Sequence, residues 1–308
     1  MKLPKTAALL MLAVALAVTD ANAQQKCQLM RAAKLDMTMD PGGRISVPMT
    51  IGGKPISLLV DTGGYESALT RSTVDALDLT TKQAPEPIAQ VYGGVIVDRF
   101  VFTHDDVLGG LKASELPFIV VPDGTGGLSQ EEGGILAPDV LKNYDADFDF
   151  ANGTLNFFSK DHCEGRVVYW TSTGYGKVPF EFDHDSHIEF TVLIDGKEVR
   201  ALLDTGARES VADLARIETD FGLNEKSAGM SRLPDSTTKE AGYRYAFKTL
   251  TFDAVSVSNP DIALIPGDQS RVGMAVPTLI LGMNILRHLH IYIAYGEKML
   301  YVTDASAH

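Results

Sequence analysis

Cysteine is nearly absent: the 308 residues contain two, Cys27 and Cys163, beside a single tryptophan. So few thiols exclude a disulfide scaffold and a cysteine-rich metal module. Basic residues are outnumbered, 27 Lys and Arg against 40 Asp and Glu, for a net charge of −13. That balance argues against nucleic-acid binding, which needs clustered positive charge over phosphates. After the first twenty or so residues no apolar run is long enough to cross a bilayer. Three common catalytic signatures are missing as well: the Gly-x-Ser-x-Gly elbow, the His-Glu-x-x-His helix and the phosphate-binding Gly-Lys-Ser loop. Serine hydrolase, zinc protease and nucleotide enzyme therefore lack their parts.

The one apolar run stands at the start. Lys2 and Lys5 precede a core from Thr6 to Val18, and Ala21-Asn22-Ala23 supplies a small-x-small cleavage pattern. Residues 1–23 read as a secretory signal peptide cut before Gln24, with a retained membrane anchor as the alternative. Its removal takes away Lys2, Lys5 and Asp20 and moves the net charge to −14. The expected location is secreted or periplasmic, with no membrane span after processing. In an oxidising compartment Cys27 and Cys163 are expected to form one disulfide, two free thiols being the alternative. Neither cysteine lies in the context of a nucleophile.

Two stretches read almost alike. Ile51-Gly-Gly-Lys-Pro-Ile-Ser-Leu-Leu-Val-Asp61-Thr62-Gly63-Gly64 returns as Ile194-Asp-Gly-Lys-Glu-Val-Arg-Ala-Leu-Leu-Asp204-Thr205-Gly206-Ala207, at an offset of 143. The same offset matches Glu66 with Glu209 and Ser67 with Ser210. A second pair of landmarks, Gly134-Ile-Leu-Ala137 and Leu279-Ile-Leu-Gly282, recurs at an offset of 145. Each is an apolar run, a small residue and then a short helix. The repetition implies two halves, each delivering one carboxylate on a sharp turn at the end of a buried strand. Turn-capping alone would not require the Thr and Gly to recur.

This order of apolar strand, Asp-Thr-Gly, β-rich middle and second apolar landmark resembles the aspartic peptidases. The halves look like retropepsin-like units fused in tandem, as in the bacterial two-domain aspartyl proteases that carry a secretion signal. The resemblance implies a mainly β, two-lobed acid-protease (pepsin/retropepsin-like) fold with a pseudo-twofold repeat, lobe one over 24–170 and lobe two over 171–308. It implies that Asp61 and Asp204 are the catalytic pair and activate a water to hydrolyse peptide bonds. Thr62 and Thr205 would bond across the pseudo-twofold axis, and Gly63 and Gly206 would let backbone N–H groups approach the carboxylates. A peptide or protein substrate would bind as an extended strand, with no metal and no cofactor, to a monomer. Two positions depart from the pattern: Gly64 stands where Ser, Thr or Ala is usual, and Ala137 where Gly is usual. The competing class is a non-catalytic peptide-binding module that retains the fold; a third reading pairs each lobe with a second chain.

The rest of the chain fits around the two carboxylates. Gly43–Val60 is expected to be a hairpin leading into the first of them. Glycines among β-formers at Tyr92, Gly93 and Gly94 are the flap candidates by the same resemblance, an ordinary hairpin turn being the alternative. The second flap is expected over 228–242. The segment 174–185 is taken as the connection between lobes. Asp183-His-Asp-Ser-His187 holds metal-ligand residue types but reads as a solvated turn. His288 and His290 are expected to cap a short helix or face solvent.

Overall fold

A strand that ends in a buried carboxylate must be surrounded on both sides, and the chain does this twice. The computed structural model describes residues 28–91, 95–234, 242–266 and 278–307. In lobe one, Lys54–Val60 runs parallel to Gly134–Leu136, with Ile135 opposite Leu59. Ala68–Thr70 lies antiparallel beside Gly134–Leu136 and parallel to Leu111–Val121. In lobe two, Lys197–Leu203 runs parallel to Leu279–Leu281, with Ile280 opposite Leu202. Ser210–Asp213 lies antiparallel to Leu279–Leu281 and parallel to Ile262–Ile265. The two lobes thus repeat one topology, and the offsets of 143 and 145 recur in the register. Both Asp-Thr-Gly strands are buried on both faces near their ends, which is why the sequence there is continuously apolar rather than alternating.

The short helices expected after each apolar landmark are present at Pro138–Leu141 and Met283–Leu286. The fold is mainly β and two-lobed. One buried apolar cluster includes side chains from both lobes, among them Val60, Leu136, Leu203 and Leu281.

Six strands join the lobes. Arg31–Asp36, Thr154–Phe158 and Asp145–Asp149 come from lobe one, and Leu289–Ala294, Met299–Asp304 and Gly176–Phe182 continue the same sheet. At its centre Asp145–Asp149 and Leu289–Ala294 are antiparallel, with Ala146 opposite Ile293 and Phe148 opposite Ile291. The segment 174–185 is therefore not a plain connection. Its residues Gly176–Phe182 form the lobe-two counterpart of Arg31–Asp36, burying Val178 and Phe180 while Lys177, Pro179 and Glu181 point outward. The stretch 159–175, which contains the 170/171 division, has neither helix nor strand.

His290 also departs from expectation. It lies in the strand Leu289–Ala294, buried, with Nε2 2.6 Å from Asp147 Oδ1. Asp147 Oδ2 accepts from the Tyr169 hydroxyl at 2.6 Å and from Asn156 Nδ2 at 3.0 Å. Trp170 stacks on the His290 ring at 4.2 Å. A second buried carboxylate, Asp145, meets His162 Nε2 at 2.5 Å and accepts from the Tyr295 backbone N–H at 2.9 Å. Burial raises the Asp145 carboxyl against the lowering effect of His162. His288, in contrast, is exposed as expected.

Ala89–Val91 pairs with Val95–Val97 in a two-stranded antiparallel sheet; the flap candidates Tyr92, Gly93 and Gly94 lie outside the described residues. Met230–Arg232 pairs with Tyr243–Tyr245 in the region expected for the second flap. Cys27 and the segment 1–23 lie outside the described residues too, and Cys163 is not a free thiol. Among the described residues no helix is long and apolar enough to cross a membrane.

The Asp147–His290 pair yields a test. Replacing His290 with Leu leaves Asp147 buried without its ring partner, and breaking such a pair costs about 3–5 kcal/mol. Urea unfolding of wild type and His290→Leu should show an unfolding free energy lowered by that amount, read from the shift in midpoint at an unchanged slope; an unchanged midpoint would mean the pair contributes nothing to the interlobe sheet.

Candidate active site

Each Asp-Thr-Gly turn is fixed by its own lobe and by the opposite one. The Asp61 N–H donates to Leu136 O at 2.9 Å, and the Asp204 N–H donates to Leu281 O at 3.1 Å, which extends each parallel strand pair to the aspartate. The threonines then cross. Thr62 Oγ1 donates to Leu203 O at 2.8 Å and accepts from the Thr205 N–H at 3.0 Å. Thr205 Oγ1 donates to Val60 O at 2.7 Å and accepts from the Thr62 N–H at 3.1 Å. Both side chains are buried at 1 % exposure, so all four bonds are made away from water, where unmade partners would be costly.

The crossing brings Asp61 and Asp204 together, hydrogen-bonded to one another. Each carboxyl group packs over the glycine of the other turn: a Cβ at Gly63 would overlap the Asp204 carboxyl, and one at Gly206 the Asp61 carboxyl. No side chain fits at either position. The Gly63 N–H donates to Asp61 Oδ1 at 3.0 Å and the Gly206 N–H to Asp204 Oδ1 at 2.8 Å.

Ser67 and Ser210 have a different task from reaching the carboxylates. Ser67 Oγ donates to Asp139 Oδ1 at 2.7 Å and accepts from the Ala137 N–H at 3.0 Å. Ser210 Oγ donates to Asn284 Oδ1 at 2.8 Å and accepts from the Gly282 N–H at 3.0 Å. These serines tie the strand after each turn to the small residue and helix beneath it.

The two departures from the pattern adjoin one another. In lobe two the methyl group is on Ala207, and a Cβ at Gly282 would lie 2.5 Å from Glu209 O. In lobe one the methyl is on Ala137, and a Cβ at Gly64 would lie 3.3 Å from it and 3.2 Å from the Asp61 carboxyl. In lobe one a side chain at Gly64 would thus crowd the Ala137 methyl, whereas at Gly282 the backbone itself leaves no room.

The electrostatics are less symmetric than the backbone. Both aspartates keep part of their surface open, but the surrounding protein strips most of their water. Desolvation, then the charge of Asp204, raises the Asp61 carboxyl to about 8. Desolvation also raises Asp204, offset by N–H bonds from Ala207 and Gly206, the bond from Asp61 and the charge of His187. Ala207 N–H donates to Asp204 Oδ1 at 2.9 Å, whereas the Gly64 N–H goes to Asp61 O at 3.3 Å. The extra backbone donor favours negative charge on Asp204 over Asp61.

The family profile described as aspartyl protease matches residues 47–139 and 190–285, one segment in each lobe and each containing one Asp-Thr-Gly turn. The chain belongs to the aspartyl protease family. Among solved structures it is similar to the aspartic proteinase from Irpex lacteus, with a TM-score of 0.54 and 15 % identity over 89 % of this chain and 97 % of that one. It is also similar to Basic 7S globulin from soybean, with a TM-score of 0.52 and 8 % identity over 91 % and 96 % of the two chains. At these identities the likeness is one of fold. No curated protein matches the chain.

For this aspartyl protease, sequence reasoning identifies the turns but misses the groups that bias them. Asp183, Asp185 and His187 bring ligand-type atoms within 4.8 Å of one another. Hydrogen bonding accounts for the cluster: Asp183 Oδ1 accepts from the N–H groups of Asp185 and His187, both at 2.9 Å, and Oδ2 lies 2.9 Å from His187 Nδ1. The other ring nitrogen of His187 reaches the Gly64 carbonyl of the opposite lobe at 3.2 Å.

Gly64→Ala should cost about 1 kcal/mol through overpacking, and adding Ala137→Gly should recover most of it. A double-mutant cycle by thermal unfolding measures the coupling; additive losses would mean that the two positions do not share one space.

Proposed function

We propose that the chain is an exported aspartic endopeptidase in which Asp61 and Asp204 activate a water to hydrolyse peptide bonds. The observation that carries this reading is the pair of coupled carboxyl groups on turns locked face to face by Thr62 and Thr205. Two such groups cannot both ionise cheaply, so the pair holds one proton, as the catalytic carboxyls of aspartic proteases are known to do. Asp204, with two backbone N–H donors, is the general base and takes a proton from the water. Asp61 gives its proton to the scissile carbonyl oxygen and so stabilises the tetrahedral intermediate. As the C–N bond breaks, the proton taken by Asp204 passes to the leaving amine and one hydroxyl of the intermediate returns its proton to Asp61.

The substrate in this reading is an extended peptide lying between the lobes, 24–170 and 171–308, and adding its backbone to a strand edge. The hairpin Ala89–Val97 serves as the flap, and its exposed Val95 and Ile96 offer apolar surface to side chains of the substrate. The expected signal peptide and a Cys27–Cys163 link are consistent with work outside the cytoplasm as a monomer.

Asp61→Asn and Asp204→Asn should each abolish cleavage of an unfolded protein substrate, since one acid cannot fill both roles. Cleavage products are read by mass spectrometry, with circular dichroism to verify the fold. Near-native turnover in either variant would remove the dyad.

The pH dependence follows from the raised carboxyls. Catalytic efficiency should fall on the alkaline side as Asp61 loses its proton near 8 and on the acid side as Asp204 gains one. Because both folded-state values lie above those of the unfolded chain, the dyad's contribution to stability is complete at low pH and declines as pH rises through them. Asp61→Asn should therefore flatten the loss of stability towards pH 8. A strongly acid optimum, with stability in wild type and Asp61→Asn changing in parallel, would contradict this assignment.

A further inference from the structure

The residue that follows each catalytic turn leaves much of its side chain in solvent. Four residues after Asp61 stands Tyr65, and four after Asp204 stands Arg208, partners at the offset of 143. Each is 45 % exposed, although the threonines and serines around them are buried. Tyrosine and arginine are the side chains that most often carry binding energy once a partner covers them. Here one of each stands at equivalent places on either side of the dyad.

Arg208 is not a loose surface cation. Its carbonyl accepts the Asn284 N–H at 3.0 Å and that of Ala207 accepts the Met283 N–H at 2.8 Å, so the helix Met283–Leu286 holds this backbone. One residue earlier, the Ala207 N–H donates to Asp204 Oδ1. The side chain crosses to lobe one, where Nη1 lies 2.8 Å from Asp40 Oδ2, and a Cβ at Gly42 would overlap the guanidinium. Asp40 is its one ionic partner among the described residues, and that carboxylate is shared. Oδ1 accepts the Arg44 N–H at 3.0 Å, and Oδ2 accepts from Arg44 Nε at 3.4 Å. A guanidinium carries five N–H donors in a planar fork that matches a carboxylate. One contact to a carboxylate already divided between two arginines leaves donors of Arg208 for a second, and its exposure leaves them reachable. Lobe one offers nothing similar. Tyr65 is uncharged, and Val95–Val97, whose Val97 is buried in one cluster with Leu59 and Ala137, exposes Val95 and Ile96. Asp183, at the offset of 143 from Asp40, is engaged by His187 instead.

We propose that Arg208 is a specificity-determining residue that receives the carboxylate of an aspartate or glutamate side chain of the peptide, on the lobe-two side of the scissile bond. Tyr65 leaves the lobe-one side to apolar side chains. The inference rests on the peptidase reading and names a class of substrate for it. An extended peptide has a direction, so a cleft whose two sides repeat in backbone can fix that direction only through side chains that differ.

The test uses a pool of randomised peptides blocked at both ends, so that only side chains supply carboxylates. Wild type, Arg208→Gln and the charge-retaining Arg208→Lys digest the pool, and products are read by mass spectrometry. Acidic residues should be enriched on one side of the cleaved bond only. For a preferred peptide and its Glu→Gln analogue, the ratio of kcat/KM should be about fivefold in wild type, near one in Arg208→Gln and largely retained in Arg208→Lys. If Arg208 only braces Asp40, Arg208→Gln slows both peptides alike and the ratio stays; that result overturns the proposal. Retention of the same pool on immobilised Asp61→Asn protein, with and without Arg208→Gln, gives a readout that needs no turnover. Acidic enrichment that Arg208→Gln removes, beside a folded wild type that cuts nothing, supports Arg208 and removes the peptidase reading instead. No acidic enrichment in either arm overturns the proposal.

Discussion

Two carboxyl groups in contact repel when both are charged, and burial makes the repulsion stronger. Everything at the centre of this molecule resists the separation that would relieve it. The decisive constraint is the crossing of Thr62 and Thr205, whose hydroxyls bond to Leu203 O and Val60 O, the carbonyls just before the opposite aspartates. Pulling the turns apart would strand two hydroxyls, two carbonyls and two N–H groups in a dry interior, each at a cost of about 1–3 kcal/mol. That loss opposes moving the aspartates apart, and the pair can relieve its repulsion by retaining a proton instead.

The frame is close to twofold, but the proposed mechanism requires inequality, with one acid donating while the other accepts. The chain introduces that difference through small substitutions on a repeated backbone: Gly64 against Ala207, Ala137 against Gly282, Arg44 against His187. Asp204 receives the N–H of Ala207, which has no equivalent at Asp61 and favours charge in lobe two, while a cationic side chain lowers each carboxyl, Arg44 that of Asp61 and His187 that of Asp204.

Much of this is legible in the sequence because identity repeats at a fixed offset. The Asp-Thr-Gly turns, the apolar landmarks and the serines are the same residues twice, and the strands, turns and short helices follow them. What is not legible keeps the geometry but changes the residue. Asp183 and His187 lie at the offset of 143 from Asp40 and Arg44, yet a histidine does not look like an arginine, and the cluster reads as solvated turn chemistry. Gly176–Phe182 carries a legible alternation of Val178 and Phe180, but Gly176 and Pro179 are residues that punctuate strands. His290 is misplaced by the sequence alone because its partners, Asp147, Tyr169 and Trp170, are distant along the chain. Nothing local says that a polar ring in an apolar run will be matched.

The interlobe sheet and the threonine crossing lie on one pseudo-twofold axis. At the sheet, Ala146 faces Ile293 and Phe148 faces Ile291, pairs that exchange under the same offset of 145 that relates the landmarks. At the dyad, Thr62 and Thr205 exchange in the same way. The lobes are thus joined at two places along one line, by backbone pairing at one and by side-chain bonds at the other. Rotation about any perpendicular direction must break one of them, and rotation about the axis itself is opposed by the ladder of the sheet. Separating the carboxyl groups therefore requires breaking bonds at one of these two places. In the proposed function, adaptation to substrates is left to parts outside this line, the paired strands Ala89–Val91 and Val95–Val97 in lobe one and Met230–Arg232 and Tyr243–Tyr245 in lobe two.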